Sequence, residues 1–214
     1  MKLTNFKKAF VLAPHPDDGE LGCGGTISKL LNNGVEVFYI TFSLCQESVP
    51  DGFPKNQLEF EVKKATKVLG IKEENVIIFD FQVRKFNYSR QEILEKLISL
   101  RTKYDPDLIF IPSLNDLHQD HSTIANEGLR AFKNKTVLAY ELIWNNLNFN
   151  NQCFMILDKN NVDIKIAALK EYKTQHKRIY INKEFIYSLA IVRGVQISEK
   201  YAETFEVIRW IIKE

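Results

Sequence analysis

Apolar residues fall along this chain in short blocks separated by longer amphipathic stretches. Blocks at 10–13, 35–43, 75–81, 108–112 and 136–143 are compact and mostly aliphatic or aromatic, the pattern of strands buried on both faces. Between them, residues 25–32, 57–69, 90–104 and 122–132 carry apolar positions three and four apart, which predicts helices. Strand and helix alternate, so the expected architecture is α/β and Rossmann-like: a mostly parallel sheet with helices on both faces, in one domain covering 1–214. Right-handed crossovers then bring the loops after the strands to one rim, where a site is to be sought. Further on, 154–157 reads as a strand and 162–176 as a helix with Lys165, Lys170 and Lys173 outward and a structural or solvated His176 at its end. Residues 185–194 read as a helix, and 201–212 as a strand closing the edge of the domain.

Composition narrows the function classes. With 214 residues, 45% hydrophobic and 26% charged, the chain has the balance of a soluble globular domain with a real core. Its net charge of +2 comes from interleaved Lys and Glu, so no nucleic-acid surface is implied. No apolar run reaches the ~18 residues of a membrane helix, and the segment after Lys2, Lys7 and Lys8 is cut short by Pro14 and an acidic pair, unlike a secretory leader. Cys23, Cys45 and Cys153 are odd in number and lack Cys-x-x-Cys spacing, which fits a reducing compartment. A cytoplasmic location is expected.

Two polar clusters stand out. The stretch Ala13-Pro-His-Pro-Asp-Asp-Gly-Glu-Leu-Gly-Cys-Gly-Gly25 lies where the first strand hands over to a helix, and gathers His15, Asp17 and Asp18 within four positions. Adjacent carboxylates do not easily point the same way, so one can join His15 on a metal while the other faces what the metal holds. Asp-Asp-Gly is equally good turn material. A second cluster, Asn115-Asp-Leu-His-Gln-Asp-His121, follows the fourth strand. Three of the four histidines in the chain sit in these two places, both at the same kind of strand end.

His15-Pro-Asp-Asp18 with Gly22-Cys-Gly-Gly-Thr-Ile27, His118-Gln-Asp-His121, and Tyr172-Lys-Thr-Gln175, Arg193-Gly194 and Tyr201-Ala-Glu-Thr-Phe205 together resemble the LmbE-like/PIG-L family of zinc-dependent de-N-acetylases, from about residue 9 to 209. The resemblance implies metal ligands at His15, Asp18 and His121, a general base at Asp17, and an intermediate-stabilising His118 oriented by Asp120. The cofactor implied is Zn2+, although iron, cobalt or manganese accept the same donors. The activity implied is removal of an N-acetyl or other small acyl group from an amino-sugar conjugate, free or linked to a nucleotide or lipid. A homo-oligomer follows from family habit alone. Two departures concern substrate grip: Gly19 followed by Glu20 where members carry Glu directly after the pair, and Leu58 where an Arg commonly precedes the Glu at 61.

Arg84, after the third strand, is a candidate partner for an anionic part of the substrate, and Glu141, Trp144 and Arg193 are candidate sugar or rim contacts. The loop 43–53 suits a wall or lid. Other readings can be stated. Two His and a carboxylate also make an iron(II) oxygenase triad, but βα alternation argues against the fold such enzymes use. A serine hydrolase would need Ser113 or Ser122 in a Gly-x-Ser-x-Gly elbow, and neither is in one. A sugar- or nucleotide-binding protein with a vestigial site is the non-enzyme alternative; Gly22-Cys-Gly-Gly25 lacks full Gly-x-Gly-x-x-Gly spacing.

Overall fold

In the computed structural model, which describes residues 6–212, seven strands form one sheet. In chain order they are β1 (Lys8–Ala13), β2 (Glu36–Thr41), β3 (Val76–Ile78), β4 (Leu108–Pro112), β5 (Thr136–Tyr140), β6 (Cys153–Ile156) and β7 (Ala202–Arg209). The helices are α1 (Asp18–Asn32), α2 (Gln57–Leu69), α3 (Arg90–Tyr104), α4 (Gln119–Ala131), α5 (Lys159–Leu169) and α6 (Lys183–Val195). Across the sheet the order is β3-β2-β1-β4-β5-β7-β6. Strands β1 to β5 are parallel, and β7 runs antiparallel to β5 and β6.

Alternate side chains of the central strands enter two separate cores, as the period of two demands. Val11, Tyr39, Phe110 and Leu138 face α1, α2 and α5, while Phe10, Ile40, Ile109 and Val137 face α3 and α4. Burial on both sides explains why these strands read as unbroken apolar runs. From β1 the chain works outward to β2 and β3, then crosses back to place β4 on the other side of β1. Ala9 pairs with Leu108 and Val11 with Phe110, so the ends of β1 and β4 emerge side by side while their connections diverge. A crevice at that switch point is the usual ligand position in open α/β sheets.

Several elements differ from the sequence expectation. Helix α1 begins at Asp18 rather than at 25, and is broken at Cys23 (φ −146°, ψ 25°). A break leaves backbone groups unpaired. Here Glu203 of β7 accepts from the N–H groups of Gly25 (3.0 Å) and Thr26 (2.7 Å), and Lys165 Nζ donates to the Leu21 carbonyl (2.7 Å) and to Glu203 (2.7 Å). Lys165, expected outward, is therefore buried. At Gly22 a Cβ would lie 2.3 Å from the Tyr140 ring, so glycine is what lets α1 cross the sheet at this distance. Helix α5 stops at Leu169, and residues 170–176 turn away through a short 3-10 segment because buried Glu61 takes hydrogen bonds from both Thr174 N–H (3.2 Å) and Thr174 Oγ1 (2.6 Å). Strand β5 ends at Tyr140, which leaves Trp144 in a turn. Among the described residues no helix is long and apolar enough to cross a membrane.

Candidate active site

The two polar clusters meet at the crevice. His15 Nδ1 lies 3.1 Å from His121 Nε2 and 3.1 Å from Asp18 Oδ2, and His121 Nε2 lies 3.2 Å from the same Asp18 oxygen. Three donor atoms from residues far apart in sequence thus form a nearly equilateral triangle. A tetrahedral cation with bonds of about 2.1 Å wants its donors about 3.4 Å apart, so the triangle is a slightly contracted version of such a site. His118 stands close by, with nitrogens of the three rings within 4.8 Å of one another. The contact triangle nevertheless contains Asp18 rather than His118, and a carboxylate offsets cationic charge that a third imidazole leaves uncompensated.

Each ring is oriented from behind. His15 Nε2 is 3.0 Å from Asp120 Oδ2, and His121 Nδ1 is 2.8 Å from Asp116 Oδ2. Each outer nitrogen donates to a carboxylate, which leaves a lone pair on the inner nitrogen of each ring, as carboxylate–histidine–metal arrangements require. The Asp120 carboxylate also accepts from the backbone N–H of Arg84 (2.6 Å) and Phe86 (3.3 Å). The sequence expectation was that Asp120 orients His118; the contacts of Asp120 are arranged differently. Its side chain serves His15, and only its backbone N–H meets His118, donating to Nδ1 at 3.2 Å. His118 is the N-cap of α4. Because Nδ1 accepts, the proton of a neutral His118 ring sits on Nε2. Asp116 was not singled out in the sequence; its position two residues before His118, in the loop after β4, was the available signal. It also accepts from the His118 N–H at 2.8 Å.

Burial and neighbouring charge set the ionisation of these groups. Burial, then the charge of Asp18, pushes Asp17 up to about 6. Burial opposes ionisation of Asp18, but the His121 and His15 rings outweigh it and hold that carboxyl well below its ordinary range. Burial, then His121 and His15, lowers His118 to about 4, which keeps the ring neutral at pH 7. Burial disfavours charge on His121, yet Asp18 and Asp116 raise its pKa well above the ordinary imidazole value. Carboxylates that hold a proton so firmly between two rings would stabilise a divalent cation in the same place.

A cleft of about 370 Å³ opens over the triangle, lined by Asp17, His118, Leu58, Trp144 and Tyr180 among others. Arg84 and Trp144 line it, and Cys45 and Ser48 from the 43–53 loop form part of its wall. Glu141 and Arg193 do not reach it. They pair with each other (Nε to Oε2, 3.0 Å) beside a separate cavity of about 20 Å³ under α6, because Glu141 turns inward past the end of β5. Gln175, Arg178 and Tyr180 line the cleft instead; Gln175 ends the Tyr172–Gln175 motif, and no periodicity or charge pattern marked the other two. Ser113 donates to buried Glu206 at 2.6 Å, a structural use of its hydroxyl.

The profile of the family described as PIG-L, GlcNAc-PI de-N-acetylase, matches residues 10–132, more than half of the chain and the whole span from β1 to α4. The chain belongs to the PIG-L family. This PIG-L chain is 23% identical over 94% of its length to diacetylchitobiose deacetylase from Thermococcus kodakarensis, covering 82% of that protein. Its fold matches N,N'-diacetylchitobiose deacetylase from Pyrococcus horikoshii with a TM-score of 0.80 at 21% identity, over 96% of this chain and 85% of the other. GalB, the 4-carboxy-2-hydroxymuconate hydratase from Pseudomonas putida KT2440, matches with a TM-score of 0.78 at 19% identity, over 97% and 98% of the two chains. The PIG-L fold is therefore shared by proteins named for different reactions.

A Cβ at Gly19 would lie 2.5 Å from the Tyr39 ring, so a side chain has no room there unless that ring moves. Glu20, one residue on, is fully buried and held by the hydroxyls of Tyr39 and Tyr172, which also bond the Pro16 carbonyl. Burial raises Glu20 to about 8.

Proposed function

We propose that this protein is a metal-dependent N-deacetylase acting on an N-acetylated amino-sugar conjugate. The observation that carries the reading is the triangle of His15 Nδ1, Asp18 Oδ2 and His121 Nε2, with Asp17 and His118 beside it in one cleft. Family membership and the names of the curated relatives support the reaction class. His15, Asp18 and His121 would hold the cation, zinc by donor type. Bound there, a divalent ion supplies Lewis acidity and brings the pKa of a water from ~15.7 towards ~7.

The chain's own residues do the rest. Asp17, half-buried beside Asp18 but not part of the triangle, accepts the proton of the attacking water and hands it to the departing amine, which is too basic to leave unprotonated. His118 presents Nε2–H to the amide oxygen as charge develops on it. Trp144, stacked on Tyr180 at 3.9 Å and 10°, offers an aromatic wall for the apolar face of a sugar ring. Asp120 and Asp116 keep the two imidazoles aimed.

Acetate release from a panel of N-acetylglucosamine conjugates, with and without a chelator and with Asp17→Asn as control, tests the proposal. Zinc-restored release that is lost in Asp17→Asn is expected; release indifferent to the chelator would refute it. Because the fold is shared with a protein named as a hydratase of 4-carboxy-2-hydroxymuconate, the same panel includes that unsaturated tricarboxylate. Hydration of that compound without acetate release would move the chain to the other reaction.

A further inference from the structure

We infer that the mouth of the cleft is built to hold an anionic group, so that the substrate carries a carboxylate or phosphate on the part beyond its amino sugar. This rests on the hydrolase reading and narrows its substrate class. Of the seven arginines in the chain, five are committed. Arg90 and Arg130 pair with Glu127, Arg193 with Glu141, and Arg101 and Arg209 donate to the backbone carbonyls of Ala131 and Phe132. Among the described residues Arg84 and Arg178 alone have neither a carboxylate at ion-pair distance nor a backbone carbonyl on the guanidinium, although Arg178 is near enough to Asp17 to favour its charged form; both line the cleft.

Both are held in place by neutral groups. Arg84 has φ +65°, uncommon for a residue with a Cβ. That conformation persists because its N–H is fixed at 2.6 Å to Asp120, the carboxylate that orients His15. Backbone strain of this kind is kept where surrounding contacts over-determine it. Its guanidinium donates to Ser48 Oγ at 3.2 Å, across to the 43–53 loop. Arg178 donates to Gln175 Oε1 at 2.5 Å and to the Tyr180 hydroxyl, and lies 5.6 Å over the ring that stacks on Trp144. Ser, Gln and Tyr position a guanidinium without neutralising it. Each arginine keeps donors free for the paired hydrogen bonds that carboxylates and phosphates accept. Both line the same cleft as Asp17, so an anion they hold shares that cleft with the reacting end.

The test compares the zinc-loaded protein on three N-acetylglucosaminides: a methyl glycoside, one with a carboxylate in the aglycone and one with a phosphate. A kcat/KM at least tenfold higher for one or both anionic compounds is expected, carried by KM. That ratio should collapse towards one in Arg84→Met/Arg178→Met, fall partway in each single variant, and shrink as salt rises. Equal kcat/KM for neutral and anionic compounds, or a ratio unchanged in the double variant, would overturn the inference. If none of the three is deacetylated, the hydrolase reading fails, and calorimetry still decides about the anion site. Wild type should bind the deacetylated anionic glucosaminide at least tenfold tighter than the double variant does; equal binding would overturn it.

Discussion

Asp17 and Asp18 are neighbours in sequence with opposite ionisation, and environment alone separates them. Asp18 is held charged by two imidazoles, whereas Asp17 is pushed up to about 6 by burial and by Asp18. A base must be ionised to work, so kcat/KM should rise with pH along an acidic limb at or below about 6, a cation beside Asp18 offsetting part of the repulsion. In Asp17→Asn, turnover should fall by about 10²–10⁴-fold with bound zinc unchanged by atomic absorption; lost metal would return Asp17 to the ligand set. Asp120→Asn separates the two roles considered for that residue. If Asp120 aims His15, zinc affinity should weaken by about 10–100-fold, whereas a partner of His118 would leave affinity intact and reduce kcat alone. The sequence made the polar residues legible because three ligand-grade side chains in four positions, His15, Asp17 and Asp18, exceed what a turn needs. It did not show which ring Asp120 faces, since His118 and His15 are equally available until β1 and β4 are side by side.

The elements were readable where burial is symmetric and obscure where one side chain overrides a local pattern. Helices α2 and α3 and strand β4 fall on the expected boundaries. The start of α1 did not, because its glycines lower helix propensity and the break at Cys23 is closed by groups from β7 and α5, which no local window includes. Lys165 looked like a solvent-facing lysine for the same reason. Removing one member of that buried pair should be costly: Glu203→Ala is expected to lose about 3–5 kcal/mol in urea unfolding, since Lys165 and two α1 N–H groups lose their partner. A loss under 1 kcal/mol would mean that α1 does not depend on it. Glu20 adds a pH signature. Its folded-state pKa of about 8 exceeds the ordinary 4.5, so the native state keeps a proton that the unfolded chain gives up. Its contribution is therefore intact below pH 4.5 and lost as pH rises towards about 8. Melting temperatures of Glu20→Gln and the natural chain should diverge across that interval, the variant declining less; parallel curves would assign the pH dependence elsewhere.

At the scale of the molecule, the strand order 3-2-1-4-5 places the crevice where β1 and β4 diverge; βα alternation alone predicted the shared rim, not that order. The last two strands and the wall bearing Arg178 and Tyr180 lie outside the span the family profile matches, and nothing in the periodicity placed them at the cleft. Cation binding to the native state alone should raise stability by about 2.7 kcal/mol at a hundredfold excess over Kd, or a Tm increase of about 5–10 °C for a chain of this size. His121→Ala should abolish the increase.

The ends of the His15–His121 contact are 106 residues apart in the chain. An ion seated there works as a reversible cross-link, closing a loop that encloses three strands and three helices, much as a disulfide would. Chelation should then release amide protons first in the middle of the sheet, at the paired residues of β1 and β4, before the outer strands loosen. During synthesis no such stitch can form until the ribosome has delivered residue 121, so the amino-terminal half must stay folded on hydrophobic contact alone until then.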